Sequence, residues 1–299
     1  SSAASDVYKR QVKILIIGIN GMIGNGMFRY FSDKYDVSGT LKGEYKDYKL
    51  ESHKNIYQNV DLKNFKSFEN VLDIVHPDVV LNCSGIIKQK SNKYTEEEHR
   101  YLNSEIPFLI SDLTSKRNFR LINFSTDCVF DGLKGSYKDD DIPNAQDIYG
   151  RSKALGEVRK ENCLTIRTST IGLEIDNKHG LLEWFLDQNT KTIQGYENAI
   201  YSGLTTKELA KYLEHILVNF HDLWGVYNMA SEKISKYKLL SILSEKLEYC
   251  TIVVEKNTDF ICDRSLNGEL LDNLTEFKAS NWEKMLSDLA IEINNRAKK

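Results

Sequence analysis

The sequence predicts an α/β protein: a doubly wound parallel sheet flanked by helices, with a smaller, mainly helical lobe added after it. Three observations carry that prediction. From Lys13 onward, short apolar runs alternate with longer amphipathic segments, the rhythm that builds a parallel sheet with helices on its faces. Glycines spaced GxxGxxG, at Gly18, Gly21 and Gly24, stand directly after the first apolar run and open the first amphipathic one. After Thr168 the alternation loosens into helical periods with short β-like pieces between them.

The elements follow in order. Strands are predicted at Lys13 to Gly18, Asp36 to Thr40, Val79 to Asn82, Leu121 to Phe124 and Leu164 to Arg167, each rich in Val, Ile, Leu or Phe or bounded by turn residues. Helices are predicted at Met22 to Phe31, Asn64 to Val75, Glu96 to Thr114 and Ile148 to Arg159. The second of these stops before His76-Pro77, because proline disfavours helical geometry in the residue before it. Further helices are expected at Leu181 to Gln188, Thr205 to Asn219, Ser235 to Lys246 and Ser280 to Asn294. The sheet domain is drawn as residues 12–170 with later returns to the sheet near 201–230. Residues 171–200 and 231–299 form the added lobe. With three prolines and no low-complexity tract, no flexible linker is expected between them.

Composition excludes several function classes. The 299 residues are 28% charged and 41% hydrophobic, with formal net charge −3, so no electrostatic bias favours nucleic acid or an anionic membrane. Anionic ligands must be met by local features. Five scattered cysteines form no CxxC pair, which suits buried thiols in a reducing compartment and gives no metal site. No apolar run approaches the ~18 to 20 residues that span a bilayer. Ser1 to Gln11 lacks an export-signal core and reads as a loose tail, so a cytoplasmic protein is expected.

The glycine turn carries the first chemical signal. Small residues after the first strand permit a tight turn and close backbone approach, so free N–H groups and the positive helix end can face a pyrophosphate. Gly18, Asn20, Gly21, Met22, Ile23 and Gly24 are therefore candidate cofactor contacts in a Rossmann-type domain, the alternative being a loop that only packs helix on strand. An NAD site usually carries an acidic residue at the end of the second strand. Here that strand ends in Thr40, with Lys42 just beyond. A ribose 2′-phosphate would be accepted there, which favours NADPH, while nearby Glu44 keeps NADH open.

Tyrosine four residues before lysine puts both side chains on one helix face, where the ammonium can ease loss of the phenolic proton. The spacing occurs at Tyr30/Lys34, Tyr45/Lys49 and Tyr149/Lys153. The first two fall near the first helix and its following loop and read as surface pairs. Only Tyr149/Lys153 opens a helix after the fourth strand, which itself leads into Ser125-Thr126-Asp127. A hydroxyl at the carboxyl edge of a parallel sheet is where such sheets bind ligands.

The runs Ser125-Thr126-Asp127-Cys128-Val129-Phe130-Asp131-Gly132 and Tyr149-Gly150-Arg151-Ser152-Lys153-Ala154-Leu155-Gly156-Glu157 resemble the dTDP-4-dehydrorhamnose reductase family. The likeness extends to the glycine turn, Asp61-Leu62, Asn82-Cys83-Ser84-Gly85, Asn103 and Arg167-Thr168-Ser169, and more loosely to Gly203-Leu204-Thr205-Thr206 and Asp263-Arg264-Ser265-Leu266-Asn267. It implies that Thr126, Tyr149 and Lys153 form the catalytic set, with Asp61 and Leu62 beside the adenine. Asn82, Cys83, Ser84, Asn103 and Ser125 would line the cofactor groove. The implied reaction is NADPH-dependent reduction of the C4 keto group of a nucleotide-activated 4-keto-6-deoxy sugar for deoxysugar and surface polysaccharide biosynthesis. Implied partners are that nucleotide-sugar substrate and, left open, a second copy in a homodimer.

Cys128 departs from the glutamate that related sugar 4,6-dehydratases carry after the Thr-Asp pair, which counts against dehydration. Cysteine there resembles the GDP-fucose synthases, and with His179 it implies an alternative, a combined epimerase and reductase. Against it stands a small packing cysteine and a helix-start surface histidine. A rival of another class is a non-catalytic NADP-binding regulatory subunit, since the family includes one attached to methionine adenosyltransferase. Trp184 and Tyr201 are candidate stacking residues or core aromatics, and Arg264 is a candidate diphosphate ligand or a surface ion-pairing group. Lys88-Gln89-Lys90, Glu96-Glu97-Glu98 and Asp139-Asp140-Asp141 read as solvated faces or loop.

Overall fold

The computed structural model describes residues 12–44, 55–175 and 179–298. Ser1 to Gln11 and the Tyr45/Lys49 match lie outside the described residues. In chain order the first elements are β1 (Lys13–Ile17), α1 (Met22–Ser32), β2 (Asp36–Thr40), β3 (Ile56–Tyr57), α2 (Phe65–Val75), β4 (Val79–Asn82) and α3 (Glu96–His99). A π-helical stretch, Arg100–Glu105, then leads into α4 (Ile106–Ser111), followed by α5 (Thr114–Arg117), β5 (Arg120–Thr126), α6 (Ile148–Leu155), β6 (Cys163–Thr168) and β7 (Thr170–Ile171). Then come α7 (Leu181–Leu186), β8 (Thr192–Tyr196), β9 (Ala199–Tyr201), β10 (Leu204–Thr205), α8 (Thr206–Asn219), β11 (Gly225–Asn228), β12 (Ile234–Ser235) and α9 (Lys236–Lys246). The chain closes with β13 (Val253–Asn257), β14 (Cys262–Asp263), α10 (Glu269–Thr275) and α11 (Trp282–Ala297).

Seven strands form one sheet in the order β11-β6-β5-β4-β1-β2-β3, and the pairs β1–β2, β1–β4, β2–β3 and β4–β5 are parallel. Because β1 has β2 on one side and β4 on the other, chain progression reverses at β1, the switch point where doubly wound sheets bind ligands. The strands are apolar because both faces are covered. Leu15, Ile17, Val80 and Leu121 pack with Phe68, Val71 and Leu72 of α2 and Ile106 and Ile110 of α4. The Gly39 Cα lies against Ile19 and Phe28, so a side chain on this strand residue would collide with them.

The chain divides into two compact units. One comprises the described residues of Ser1–Ser125 with Ser152–Ile166 and Asp222–Val226. The other comprises Thr126–Arg151, Arg167–His221 and the described residues of Tyr227–Lys299. The second unit holds three small sheets, β10-β7, β12-β9-β14 and β13-β8, among α7 to α11. Its core centres on Tyr212 of α8, fully buried, whose ring stacks on Phe277 at 4.3 Å and whose hydroxyl donates to Asp272 at 2.8 Å. A bidentate pair, Arg296 to Glu183 at 2.7 and 3.0 Å, fastens α11 to α7.

Two sequence expectations need correcting. The helix expected over Glu96 to Thr114 is interrupted at Arg100–Glu105, where the π-turn sets the direction of Asn103. Of the five cysteines, none of them in a disulfide, only Cys163 is buried and the other four keep partial exposure, because they sit at strand ends and in loops. The acidic run Glu96 to Glu98 caps α3. The Thr95 hydroxyl accepts from the Glu98 amide at 3.2 Å, and the Glu98 carboxylate accepts from the Thr95 amide at 2.9 Å.

Candidate active site

In the first unit the turn after β1 has the form a pyrophosphate requires. Gly18 has φ +81, in the left-handed region where glycine is favoured. Its amide and that of Ile19 both donate to the Thr40 carbonyl at 3.0 Å, which pins the turn to the end of β2. A Cβ on Gly24 would strike the Gly18 backbone, so the third glycine lets α1 pack on the turn. A Cβ on Gly21 would meet only the Gly18 oxygen at 3.4 Å. Packing does not need that glycine, and its bareness leaves room before a helix end that no side chain caps. Asn20 is exposed at the tip, with Met22 and Ile23 partly exposed.

The carboxyl ends of β4 and β5 carry a buried polar network. Asn82 and Asn123 face each other in register and share a side-chain hydrogen bond of 2.9 Å. The Ser84 hydroxyl donates to the Asn82 carbonyl oxygen at 2.5 Å, and the Asn123 amide donates to the Gly156 carbonyl at 3.1 Å. Asn103 accepts from the Ile86 amide at 2.8 Å and donates to the Ser152 hydroxyl at 3.0 Å. It thereby joins the loop after β4 to the residue before Lys153. Neither Gly85 nor Gly156 has room for a Cβ, because Asn103 fills both places. Asn82 and Asn103, expected to line the cofactor groove, spend their polar atoms on neighbouring side chains and on the backbone. Ser125 likewise donates to Glu157 at 2.8 Å.

Lys153 is held on this network. Its ammonium donates to the Phe124 carbonyl at 2.6 Å. Burial lowers its pKa to about 8, with Glu157 and then Cys83 acting in the opposite direction. The Cys83 thiol is pushed far up by the same burial. Near the end of β2, Lys42 pairs with Asp61 at 3.2 Å, both side chains solvated. Leu62 is 7% exposed and belongs to the apolar core under the sheet, which leaves Asp61 as the accessible member of that pair.

In the second unit, β5 ends on Thr126, and its hydroxyl caps the single 3₁₀ turn Asp127–Val129 by accepting from the Cys128 amide at 3.2 Å. The Thr126 side chain also hydrogen-bonds the Tyr149 phenol. Burial raises the phenol's pKa well above its ordinary value, Cys128 adds to that rise, and the Thr126 bond draws it back down. Gly150 is required beside Tyr149 because a Cβ there would run into the Cys128 carbonyl. Tyr149 and Lys153 stand four residues apart in the continuous helix α6, on one helix face. The Tyr30/Lys34 match is different, with its ammonium 4.0 Å above its own tyrosine ring.

Other candidates take varied places. Cys128 lies in the electrostatic neighbourhood of Tyr149. His179 is exposed before α7, and its amide is bound by the Glu174 carboxylate at 3.3 Å. Trp184 is 42% exposed on α7. Tyr201 is buried, 5.5 Å from the Trp282 ring, with the Lys236 ammonium 3.9 Å over its own ring. Arg264 donates to the Phe130 and Asp131 carbonyls at 2.9 and 3.2 Å, bracing the loop after Cys128.

Asn123, Ser152, Glu157 and Lys236 were missed from the sequence. An asparagine inside the apolar run Leu121 to Phe124 was a usable signal, since a buried amide must be hydrogen-bonded. Lys236 left no such trace, because a lysine at a helix start reads as surface.

Comparison with known proteins bears on the family and the fold. The model of the RmlD substrate binding domain matches residues 12–259. The chain belongs to that family. A relative in Aggregatibacter actinomycetemcomitans, a dTDP-4-dehydrorhamnose reductase, is 24% identical over 229 residues, 74% of each chain. The methionine adenosyltransferase 2 subunit beta of Danio rerio is 23% identical over 51% of this chain and 44% of its own length. Among solved structures, a dTDP-4-dehydrorhamnose reductase from Bacillus anthracis in complex with NADP superposes with TM-score 0.76 at 18% identity, over 94% of this chain and 99% of that one. The likeness establishes the Rossmann-type fold for this member of the RmlD family.

Proposed function

We propose that the protein is an NADPH-dependent reductase of the C4 keto group of a nucleotide-activated 4-keto-6-deoxy sugar, acting in the cytoplasm in deoxysugar and surface polysaccharide biosynthesis. The observation that carries this reading is the Thr126 hydrogen bond to the Tyr149 phenol, with Lys153 one helical turn further along α6. A protein that only bound the cofactor would have no use for a hydrogen-bonded proton donor placed there.

Gly18, Gly21 and Gly24, together with the uncapped start of α1, fit a dinucleotide pyrophosphate. Lys42 fits the 2′-phosphate of NADPH, and its exposed pair with Asp61 costs little to open. The cofactor would supply the hydride. The residues then divide the remaining work. Thr126 holds the carbonyl oxygen by hydrogen bonding. Tyr149 gives that oxygen its proton, and the phenol's raised pKa keeps the proton on the enzyme until then. Lys153 grips the ribose and, one turn from Tyr149, stabilises the phenolate left behind.

The test is NADPH oxidation with dTDP-, UDP- and GDP-linked 4-keto-6-deoxy sugars, comparing the wild type with Tyr149→Phe. One of these sugars is expected to turn over in the wild type, and the variant is expected to bind NADPH normally with little turnover. NADPH binding without turnover of any panel member by the wild type would instead support a non-catalytic, NADP-binding subunit.

A further inference from the structure

Lys236 occupies an unusual position in the second unit. It is the first residue of α9, directly after the Ser235 cap, whose hydroxyl accepts from the Lys238 amide at 3.1 Å. A helix start carries partial positive charge and favours anions, so a lysine there faces the unfavourable end of the dipole. Its side chain is partly buried. The ammonium folds back over the Tyr201 ring, 3.9 Å from the centroid. Its charged neighbours are Asp127, Cys128 and Cys262, and two of these, Asp127 and Cys128, also surround the Tyr149 phenol.

What the ammonium lacks is an ion-pair partner. Among the described residues no carboxylate comes within ion-pairing distance of it. The nearby Asp127 carboxylate instead accepts from the Thr126 hydroxyl at 3.1 Å. Lys233, three residues earlier, is exposed and does pair, with Asp263 at 3.3 Å. A desolvated ammonium with only a ring face beneath it is costly to keep charged, and burial lowers its pKa against the pull of Asp127. Two positive features, the helix start and the ammonium, therefore lie together near Asp127 and Cys128, and among the described residues no carboxylate is ion-paired with the ammonium.

We infer that Lys236 is an oxyanion-recognition residue for the substrate, holding the diphosphate of the nucleotide sugar. The inference rests on the reading above that Thr126 and Tyr149 hold the sugar. It adds a specificity determinant outside the glycine turn, supplied by α9, and it gives Tyr201 a role as the platform under the ammonium.

The experiment measures binding to the full chain in the presence of NADP. The probes are UDP-glucose, dTDP-glucose, GDP-mannose and UDP-glucuronic acid, titrated into the wild type, Lys236→Met and Lys236→Arg. If the diphosphate is the partner, Lys236→Met weakens every probe by about 10- to 100-fold. A wild type that prefers UDP-glucuronic acid to UDP-glucose, with Lys236→Met erasing that preference alone, overturns the diphosphate assignment. Lys236→Arg restores most of the affinity, and NADP binding is unchanged in all three proteins. Changes under twofold for all probes in a folded Lys236→Met protein overturn the inference, as does a wild type that binds none of them. Turnover is read separately. Lys236-dependent binding without reduction of any keto sugar removes the reductase reading and keeps the oxyanion site, whereas turnover with unaltered KM in Lys236→Met removes the oxyanion site alone.

Discussion

The carboxyl ends of β4 and β5 in the first unit and the surroundings of Tyr149 and Tyr201 in the second hold their polar groups differently. At the carboxyl ends of β4 and β5 in the first, Asn82, Asn123, Asn103, Ser125 and Ser84 are satisfied by one another, by the backbone and by the side chains of Ser152 and Glu157 at 2.5 to 3.1 Å. In the second, Tyr149, Tyr201 and Lys236 are all desolvated and held away from their ordinary pKa values. Satisfied networks fix geometry, while perturbed titratable groups gathered in one place mark where chemistry or recognition occurs. The first unit therefore holds a glycine turn and one lysine on a satisfied network. The second holds the perturbed side chains Tyr149, Tyr201 and Lys236.

That contrast can be broken from either side. The largest effect on the first unit is expected from Gly24→Ala, whose new methyl would drive α1 off the Gly18 backbone. A loss of about 1–3 kcal/mol in stability, seen as a lower thermal midpoint, should accompany weakened NADPH binding. Asn103→Ala comes next. It strands the Ile86 amide and frees Ser152, at about 1–3 kcal/mol, and its effect on kcat should exceed that of a surface substitution because Lys153 follows Ser152 directly.

The pH profile sharpens the role of Lys153. Its ammonium is charged below a pKa of about 8 and neutral above it, so the rate should fall as pH rises through that value. Glu157 raises this pKa, so Glu157→Gln is expected to move the alkaline limb to lower pH without abolishing activity. An unmoved limb would remove Lys153 from the rate-determining ionisation. Lys42→Ala should have a smaller effect, raising the KM for NADPH by about 3- to 10-fold and leaving that for NADH unchanged, the signature of a contact with the 2′-phosphate alone. The smallest effect is expected from Cys128→Ser. With His179 exposed and bound through its amide to Glu174, reduction should persist, and solvent deuterium should not enter the sugar carbons beside the keto group.

Much of the first unit was legible in the sequence because its signals are local. Asp36–Thr40 and Val79–Asn82 are bounded as the pattern of apolar runs indicates, and the helix before His76 stops at Val75. The π-turn at Arg100–Glu105 was not legible, since its cause is a tertiary demand, the reach of Asn103 to Ile86 and Ser152. The two-residue strands β3, β7, β10, β12 and β14 escaped for a similar reason, being defined by their partners rather than by periodicity. Among the candidate site residues, motif reading singled out Thr126, Tyr149 and Lys153 as a proposed catalytic set. It could not separate residues that face a ligand from those that brace them, such as Asn82, Asn103 and Leu62. Lys236 was invisible because the direction of its side chain depends on Tyr201, 35 positions earlier in the chain.

The most direct test of the central claim follows the transferred hydrogen. With NADPH carrying deuterium at the transferable position and a nucleotide-linked 4-keto-6-deoxy sugar as acceptor, the product is expected to carry deuterium at sugar C4, and Tyr149→Phe should form almost none of it. Deuterium at another carbon, or cofactor oxidation with no label in the sugar, would contradict the account.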